Sequence, residues 1–203
     1  MKKNRISKNW INRQKKDIYV RQSKIEGFRS RAVFKLKEID EKFKILKNSF
    51  LIIDLGAAPG SWSQFLSRKV KNGKILSIDL NTFEEIKNVH QIIGDFIEEK
   101  SKTQIKEYFK NKVDLVLSDM AVNTTGNKNL DSISTNELCL EAMRFSKNIL
   151  KENGKFVSKI FMGTSFNEVL LESKNFFKET KVFKPMSSRK DSKENFIICK
   201  HLR

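Results

Sequence analysis

Apolar and polar positions follow two different periods along most of this chain. Short apolar runs bounded by Gly, Asn or Asp are typical of buried strands, and apolar residues every three or four positions are typical of helices. The pattern predicts strands at residues 50–54, 74–79, 89–93, 113–119, 155–161, 179–184 and 195–200. It predicts helices at residues 30–44, 61–70, 101–109, 135–150 and 164–176, one more helix within 7–24, and a polar loop at 120–133.

The order of these elements indicates the fold. Strands that alternate with helices need crossover connections, so the sheet should be mainly parallel and covered by helices on both faces. Residues 185–193 are too few to hold a crossover helix between the last two strands. We therefore expect an α/β fold with a seven-stranded sheet whose last strand is antiparallel. We also expect one domain over residues 1–203, with Ser30 as the N-cap of the helix at 30–44.

Positive charge is concentrated at the amino-terminal end. The formal net charge is +17, from 41 Lys and Arg against 24 Asp and Glu. Residues 1–50 hold 16 Lys or Arg and 5 Asp or Glu, and so carry +11 of this total. Such an excess favours binding to a polyanion, either nucleic acid or an anionic membrane surface. We interpret residues 1–28 as a basic arm that binds such a partner; the alternative is that the lysines only keep the protein in solution.

Several classes of protein fit the composition poorly. The two cysteines, Cys139 and Cys199, are far apart, and the only histidines are His90 and His201, so we expect no metal site and no disulfide framework. Cysteines used in this way favour a reducing compartment, and we expect a cytoplasmic protein. The apolar runs are too short to span a bilayer, and no apolar stretch follows the basic start as in a secretory signal. We expect a monomer that does not associate with membranes.

A glycine-rich turn follows the first predicted strand, in the segment 54–62 (DLGAAPGSW). In open α/β sheets the ligand lies beyond the carboxyl ends of the strands. Gly56, Ala57 and Gly60 keep the backbone bare enough for a ligand to approach, and the amino terminus of the next helix can hold a carboxylate. Asp79 ends the second strand, which is the place for a carboxylate that accepts both hydroxyls of a ribose.

This turn has competing interpretations. Asp95, after the third strand, could meet an adenine amino group or the same ribose, which favours an adenosine-bearing cofactor. A glycine turn is also common in α/β proteins without such a ligand, and a dinucleotide site is a sharper alternative. However, the turn is not G-x-G-x-x-G, and Pro59 lies where a pyrophosphate-binding loop needs conformational freedom. The turn therefore favours a methyltransferase over a nicotinamide enzyme.

A second group of polar residues is Lys35, Asp119, Lys159 and Glu194. Asp119 ends a buried strand, and Lys159 interrupts an otherwise apolar central strand near its carboxyl end. An ammonium there costs free energy unless it is paired, although a lysine can also extend its charge to the surface. Lys35 and Glu194 are unremarkable alone, as a helix lysine and a loop acid.

Five segments together resemble the FtsJ/RrmJ family of RNA ribose 2′-O-methyltransferases. They occur in the order of the family, from about residue 18 to residue 200, and the set is far more specific than any member. The segments are 29–40 (RSRAVFKLKEID), 54–62, 118–121 (SDMA), 157–161 (VSKIF) and 184–194 (KPMSSR, then SKE). One departure is Val122, where the family usually has proline. The absence of proline there calls the rigidity of that loop into question, but it does not affect the four polar residues.

The resemblance implies a Rossmann-like class I methyltransferase fold that uses S-adenosylmethionine. It also implies a catalytic tetrad of Lys35, Asp119, Lys159 and Glu194. Lys159 is then either the general base for the ribose hydroxyl or, with Lys35, an electrostatic stabiliser of the developing alkoxide. The expected cofactor contacts are Gly56, Ala57, Pro59, Gly60, Trp62, Asp79, Leu80, Asp95, Phe96 and Asp119.

The expected substrate is RNA, because a 2′-hydroxyl target requires it and because Arg29, Arg31 and Lys190 offer phosphate contacts. A compact chain without an appended domain most resembles the bacterial members, which act on large-subunit ribosomal RNA in the assembled subunit, and we expect a uridine there. Two alternatives stay open within the fold: methylation of transfer RNA, and an RNA-binding module without catalysis. A methyltransferase for small molecules or proteins would need neither the basic arm nor the lysine pair.

Overall fold

The structure, a computed structural model, describes residues 17–122 and 125–203. Most of the predicted helix within 7–24, and the arm before Asp17, lie outside the described residues. Strands occupy Leu51–Leu55 (β1), Lys74–Asp79 (β2), Val89–Ile93 (β3), Val113–Ser118 (β4), Leu150–Phe161 (β5), Phe177–Phe183 (β6) and Glu194–Leu202 (β7). Helices occupy Ile18–Ile25 (α1), Val33–Phe43 (α2), Ser61–Lys69 (α3), Glu99–Phe109 (α4), Lys128–Ile149 (α5) and Phe166–Phe176 (α6).

The seven strands form one sheet in the order β3-β2-β1-β4-β5-β7-β6. β1 pairs in parallel with β2 and β4, β2 with β3, and β4 with β5. β7 is inserted between β5 and β6 and is antiparallel to both. The predicted fold, a mainly parallel seven-stranded α/β sheet whose last strand is antiparallel, is confirmed.

Helices cover both faces of the sheet, and the central strand β4 is buried throughout. Leu115 and Leu117 of β4 pack into a cluster with apolar side chains of α2 and α3, whereas Val116 packs into a second cluster with side chains of α4 and α5. Because successive side chains of a strand point to opposite faces, a doubly covered strand reads as a continuous apolar run. This is why the pattern of residues 113–118 predicted the strand well.

Two predicted boundaries, the starts of α5 and β5, are wrong. α5 begins at Lys128, within the predicted loop, because the Asn127 side chain caps it by accepting from the backbone N–H groups of Asn129 (3.1 Å) and Leu130 (3.4 Å). β5 begins at Leu150, directly after α5, and its pairing with β4 shifts register between Val113 and Leu115.

Ser30 is not the N-cap of α2. That position is held by Ala32, which makes no side-chain cap, and the Ser30 hydroxyl instead lies 2.8 Å from the hydroxyl of Ser61 at the start of α3. The helix therefore begins at Val33, and Ser30 ties the segment before it to the glycine-rich turn.

The topology brings several chain segments to one edge of the sheet. β1, β2, β4 and β5 are parallel, so their carboxyl ends lie at the same edge. β7 runs the other way, and its first residue, Glu194, pairs with Phe161 at the end of β5. Polar residues that are far apart in sequence therefore meet at this edge.

Candidate active site

The glycine-rich turn after β1 is held tightly against the loop after β4. Gly56 and Gly60 have φ angles of 73° and 95°, in the left-handed region that favours glycine. A Cβ on Gly56 would lie 2.7 Å from the Cγ of Met120 and 2.9 Å from its backbone, which no real side chain allows. The turn at Gly56 therefore requires glycine for both its conformation and its packing.

The amino terminus of α3 opens onto this turn. Its N-cap is Gly60, which has no side chain, so no side-chain cap satisfies the first N–H groups of the helix. Trp62 is 2% exposed and its indole N–H donates to the carbonyl of Ala32 (2.8 Å), so only its backbone is placed to meet a ligand. The helix end offers the kind of N–H group that holds a carboxylate.

Two acids beyond the turn are oriented by backbone donors. Asp79 accepts from the backbone N–H of Ala58 on one oxygen (2.9 Å) and from that of Asn81 on the other (2.9 Å). Asp95 accepts from the backbone N–H of Ile97 (2.9 Å). These bonds fix both side chains near the carboxyl ends of β2 and β3, as the sequence predicted.

Two other predicted cofactor contacts differ in availability. Leu80, directly after β2, is 67% exposed and offers an apolar surface beside Asp79. Phe96 is buried, and its ring packs edge-on against Phe145, with ring centroids 5.3 Å apart. Only the backbone of Phe96 is therefore placed to meet a ligand.

A fully buried acid, Asp54, lies beneath the turn at the end of β1. One carboxyl oxygen accepts from the Ser63 hydroxyl (2.6 Å), and the other has no hydrogen-bond partner among the described residues. The pKa of this carboxyl is raised to about 7, mainly by burial and also by the nearby charges of Asp119 and Asp79, against the lowering effect of the hydrogen bond from Ser63.

Taken together, these groups fit S-adenosylmethionine. An uncapped helix terminus suits its carboxylate, oriented acids suit the ribose hydroxyls, and a bare glycine backbone allows close approach. The site is also rich in carboxylates near the strand ends, which suits a cationic sulfonium. The carboxylates are Asp54, Asp79, Asp95 and Asp119.

The four residues of the predicted tetrad meet beside this turn. Asp119 follows β4, and its carboxylate lies 2.9 Å from the ammonium of Lys159 on the neighbouring strand. Lys35 of α2 lies 2.7 Å from the carboxylate of Glu194 and 3.9 Å from that of Asp119. Lys159 and Glu194 are both buried. The two lysines and the two acids alternate, so each charge in the group is paired.

The electrostatics of the tetrad follow from this alternation. Burial favours the neutral amine of Lys35, but the carboxylates of Asp119 and Glu194 outweigh it, and the pKa of Lys35 is raised. Burial likewise favours protonated Asp119, but Lys159 and Lys35 outweigh it, and the pKa of Asp119 is lowered. Lys35 is therefore held as a cation and Asp119 as an anion near neutral pH.

Lys159 keeps one position of its amine available. Its Nζ donates to the backbone carbonyl of Asp119 (2.6 Å) and pairs with the carboxylate of the same residue. A lysine nitrogen has four tetrahedral positions, one of which is bonded to its own side chain. Two acceptors therefore leave a third position, which carries a proton in the ammonium and a lone pair in the neutral amine.

The segment that follows β6 supplies a contact that the sequence did not predict. The hydroxyl of Ser188 donates to Glu194 (2.7 Å), on the oxygen not used by Lys35. The Glu38 carboxylate accepts from the backbone N–H groups of Met186 (2.6 Å) and Ser187 (2.9 Å), which ties this segment to α2. Ser188 lies within the segment 184–194, but its partner could not be predicted without the register of β7.

The three predicted RNA contacts are placed differently. The Arg29 guanidinium donates to the carbonyls of Pro59 (3.1 Å) and Glu85 (3.4 Å), so it braces the cofactor turn. Arg31 bonds with Asp17 and with the backbone carbonyl of Ser187. Lys190 is exposed beside the same segment. Contacts of these three residues to phosphate stay a prediction, and the first two also have a structural role.

The described ranges contain neither a metal-binding cluster nor a membrane-spanning helix. Across residues 17–122 and 125–203, no group of three or more His, Cys, Asp or Glu side chains is placed to hold a metal ion. None of the helices in these ranges is both long and apolar enough to cross a bilayer.

Comparison with known proteins places this site in a family. The model of FtsJ-like methyltransferases matches residues 28–202. A protein of Pelagibacter ubique named ribosomal RNA large subunit methyltransferase E is 64% identical over the full length of both chains.

Solved structures give the same picture. A crystal structure described as a ribosomal RNA methyltransferase of Plasmodium falciparum has a TM-score of 0.78 and 32% identity, and covers 86% of this chain and 98% of its own. Human methyltransferase-like protein 13, solved in complex with SAH, has a TM-score of 0.55 over 77% of this chain and 74% of its own. At 14% identity it shows the shared fold alone.

Proposed function

The chain belongs to the FtsJ-like methyltransferase family, and from this premise we propose that it transfers the methyl group of S-adenosylmethionine to a ribose 2′-hydroxyl of large-subunit ribosomal RNA. The family assignment confirms the resemblance carried by the five motifs, and the chain is a methyltransferase. The name of the Pelagibacter ubique relative agrees with large-subunit ribosomal RNA as the substrate. Within that RNA, the acceptor we propose is a uridine in the assembled ribosomal subunit.

The observation that carries the proposal is the alternating tetrad next to an uncapped helix terminus. Lys35, Asp119, Lys159 and Glu194 are paired at distances of 2.7 to 3.9 Å at the edge where the glycine turn lies. A binding module without catalysis would not need two buried or half-buried lysines paired with two carboxylates, because the burial of these four charges costs desolvation free energy. The tetrad therefore favours an enzyme over a silent RNA-binding module.

The protein groups around the tetrad determine how the acceptor hydroxyl is activated. S-adenosylmethionine, when bound, supplies a methyl group on a sulfonium from which it is readily transferred. The third position of Lys159 Nζ is placed to take the proton of a hydroxyl or to donate to the developing alkoxide. Asp119 fixes the orientation of that amine through two contacts. Much of the rate is expected to come from this orientation.

Lys35 and Glu194 act on the same step from further away. Lys35 remains charged because two carboxylates raise its pKa, so it contributes a fixed positive charge next to Asp119. This charge stabilises a developing alkoxide. Glu194 holds Lys35 in place at 2.7 Å. We propose that Lys35 is an electrostatic stabiliser and that Lys159 carries the proton.

The substrate should be RNA that approaches this edge of the sheet. Residues 1–16 contain seven Lys or Arg and no acid. They directly precede Asp17, which bonds to Arg31 near the tetrad. A basic arm there can bind phosphates on either side of the target ribose. A ribosomal RNA substrate also supports our expectation that the protein acts in the cytoplasm. The single-domain organisation, the arm at 1–28 and the monomeric state stay predictions.

The test offers radiolabelled S-adenosylmethionine to the full-length enzyme with four RNA substrates in parallel. These are purified large ribosomal subunits, small subunits, protein-free large-subunit RNA and transfer RNA, all from a strain that lacks this modification. We expect label in large subunits, and none with Lys159→Ala, which loses both possible roles of the amine. Label in transfer RNA alone would support the alternative that the enzyme methylates transfer RNA. Full transfer by Lys159→Ala would exclude both roles of Lys159.

A further inference from the structure

The edge of the sheet opposite the active site is densely cationic. Three loops lead into adjacent strands there: residues 44–50 into β1, 69–74 into β2 and 110–113 into β4. None of the three contains an acidic residue. Their lysines are Lys44, Lys47, Lys69, Lys71, Lys74, Lys110 and Lys112. We name this surface the lysine edge, and the tetrad lies at the other end of the same strands.

The fold places these loops next to one another. β2, β1 and β4 are neighbours in the sheet, and adjacent strands lie about 4.8 Å apart. The loops at 44–50 and 69–74 come from helices on one face, and the loop at 110–113 comes from α4 on the other. The lysine edge is therefore a broad surface with cations from both faces.

Surface recesses open on both sides of these loops. One, of about 330 Å³, lies between the loop at 44–50 and the ends of β5 and β7, and is lined by Lys44, Lys47 and Lys200. A second, of about 320 Å³, lies on the other side of the loop at 44–50 and is lined by Lys69 and Lys71. Both recesses also present an asparagine amide. The amides are those of Asn48 and Asn72.

A third recess continues the row. It has a volume of about 520 Å³, shares Lys71 and Asn72 with the second, and ends at a stack of His90 on Tyr108, with ring centroids 4.5 Å apart. Lysines, amide groups and an aromatic stack in a concave row are the chemistry that binds a sugar–phosphate backbone.

The first two recesses are lined by six lysines and two acids, so the acids cancel only a minor part of the positive charge. The acids that line the first two recesses are already bonded: Asp40 accepts from a backbone N–H (2.9 Å), and Asp114 accepts from two (2.8 Å each) and pairs with Lys151 (2.6 Å). By contrast, Lys47, Lys71 and Lys110 are exposed and form no ion pair with any residue that the structure describes. These lysines are available to a partner.

We propose that the lysine edge binds the phosphate backbone of the substrate RNA at a point remote from the methylated nucleotide. This inference rests on the proposed function, because it takes the substrate to be a large RNA. Strands of five or six residues span about 17–20 Å, so a short oligonucleotide at the tetrad cannot also reach the lysine edge. A large folded RNA can contact both edges, and the second contact then selects it over small RNAs.

The test compares two variants that lose the same charge. Lys47→Gln, Lys71→Gln and Lys110→Gln are combined to neutralise the lysine edge. The control combines Lys100→Gln, Lys174→Gln and Lys181→Gln, three exposed lysines elsewhere. Dissociation constants for purified large ribosomal subunits are measured over a salt series, together with thermal melting. For the lysine-edge variant we expect the dissociation constant to rise at least tenfold. The slope of log affinity against log salt concentration should be smaller in magnitude by two to three, since each phosphate contact contributes about 0.9 to it.

Further readouts distinguish this inference from its alternatives. The kcat for methyl transfer at saturating large subunits should be unchanged in the lysine-edge variant. Equal losses of affinity in both triple variants, or no loss in the first, would overturn the inference. A loss of binding to phosphatidylglycerol vesicles without a loss for RNA would overturn it too. Because binding is measured without methyl transfer, failure of the proposed reaction would leave this test intact.

Discussion

At the scale of single residues, the chemistry depends on where the hydrogens of Lys159 point. Its amine donates to the backbone carbonyl of Asp119 at 2.6 Å and lies 2.9 Å from the carboxylate, and we propose that its remaining position meets the acceptor hydroxyl. The arrangement explains why a lysine is retained in an apolar strand despite the cost of burial. It also allows the two possible roles of this lysine to be separated experimentally.

Lys159→Arg keeps a positive charge but cannot release a proton near neutral pH. If Lys159 carries the proton of the 2′-hydroxyl, this variant should lose about 100-fold or more in kcat, within the range of general-base catalysis. The measurement is single-turnover methyl transfer to large ribosomal subunits, with Lys181→Arg on the exposed edge strand as the control. Activity of Lys159→Arg within tenfold of the unchanged enzyme would contradict the proton-carrying role and support a purely electrostatic one.

Ser188 should act as a positioning residue for Glu194. Ser188→Ala removes the donor to one carboxyl oxygen and leaves Lys35 as the main partner of that acid, so we expect kcat to fall by about tenfold, as for one lost hydrogen bond to a charged group. Ser188→Thr, which retains the hydroxyl, should restore most of it. The pH profile of kcat should shift in Ser188→Ala, because the charge next to Lys35 is no longer fixed. A lower melting temperature with unchanged kcat would show that Ser188 is only structural.

Asp54 should make the stability of the cofactor-free protein depend on pH. Its folded pKa of about 7 is above the ordinary value of 3.8, so its contribution to stability is complete below about pH 4 and is lost as pH rises through about 7. Between pH 5 and 8 the loss should be about 3 kcal/mol. Denaturant unfolding at both pH values, on the unchanged protein and on Asp54→Asn, measures it. An equally steep pH dependence in Asp54→Asn would refute the assignment to Asp54.

At the scale of elements, the regular pattern of apolar residues predicted the strands and their order, but not every boundary. The wholly buried β4 was recognised because it reads as one apolar run. The start of α5 was missed because its first turn is polar and depends on a side-chain cap at Asn127. The pairing of Ser188 with Glu194 depends on the register of β7 against β5, which periodicity does not determine.

The glycine turn is the element whose packing is most exacting, and Gly56→Ala tests it. A methyl group there would lie 2.7 Å from Met120, in addition to the strain of a positive φ. We expect the dissociation constant for S-adenosylmethionine, measured by calorimetry, to rise at least tenfold. Gly126→Ala is a matched control, because Gly126 also has a positive φ (88°) but nothing within 4 Å of its Cβ position. Equal effects on cofactor binding would show that the contact with Met120 is unimportant.

At the scale of the whole molecule, the sequence indicated a polyanion partner but could not place the charges on the surface. The excess of +11 in residues 1–50 looked like one basic arm. The fold divides it, because Lys35 lies in the tetrad whereas Lys44 and Lys47 lie at the opposite edge of the sheet. Charge counts along a chain cannot separate these surfaces, since the crossover connections decide at which edge each segment lies.

Removal of residues 1–16 tests the arm and leaves every residue that the structure describes in place. A longer truncation would remove Asp17, which bonds to Arg31, and Tyr19, whose ring lies 5.4 Å from that of Phe34. The seven basic residues of 1–16 should contribute to phosphate binding, so we expect RNA affinity at 0.1 M salt to fall by about tenfold or more and the salt dependence to flatten. Cofactor affinity and melting temperature should not change. Unaltered RNA affinity would show that the arm is not a binding element.

The central claim is that this molecule methylates a ribose hydroxyl of large-subunit ribosomal RNA. The most direct test is mass spectrometry of nucleosides from large subunits that have reacted with the enzyme and isotopically labelled S-adenosylmethionine. The account predicts one labelled 2′-O-methylated nucleoside per subunit, a uridine, and none after reaction with Lys159→Ala. Label on a base, on a ribosomal protein, or only on RNA from outside the large subunit would contradict it.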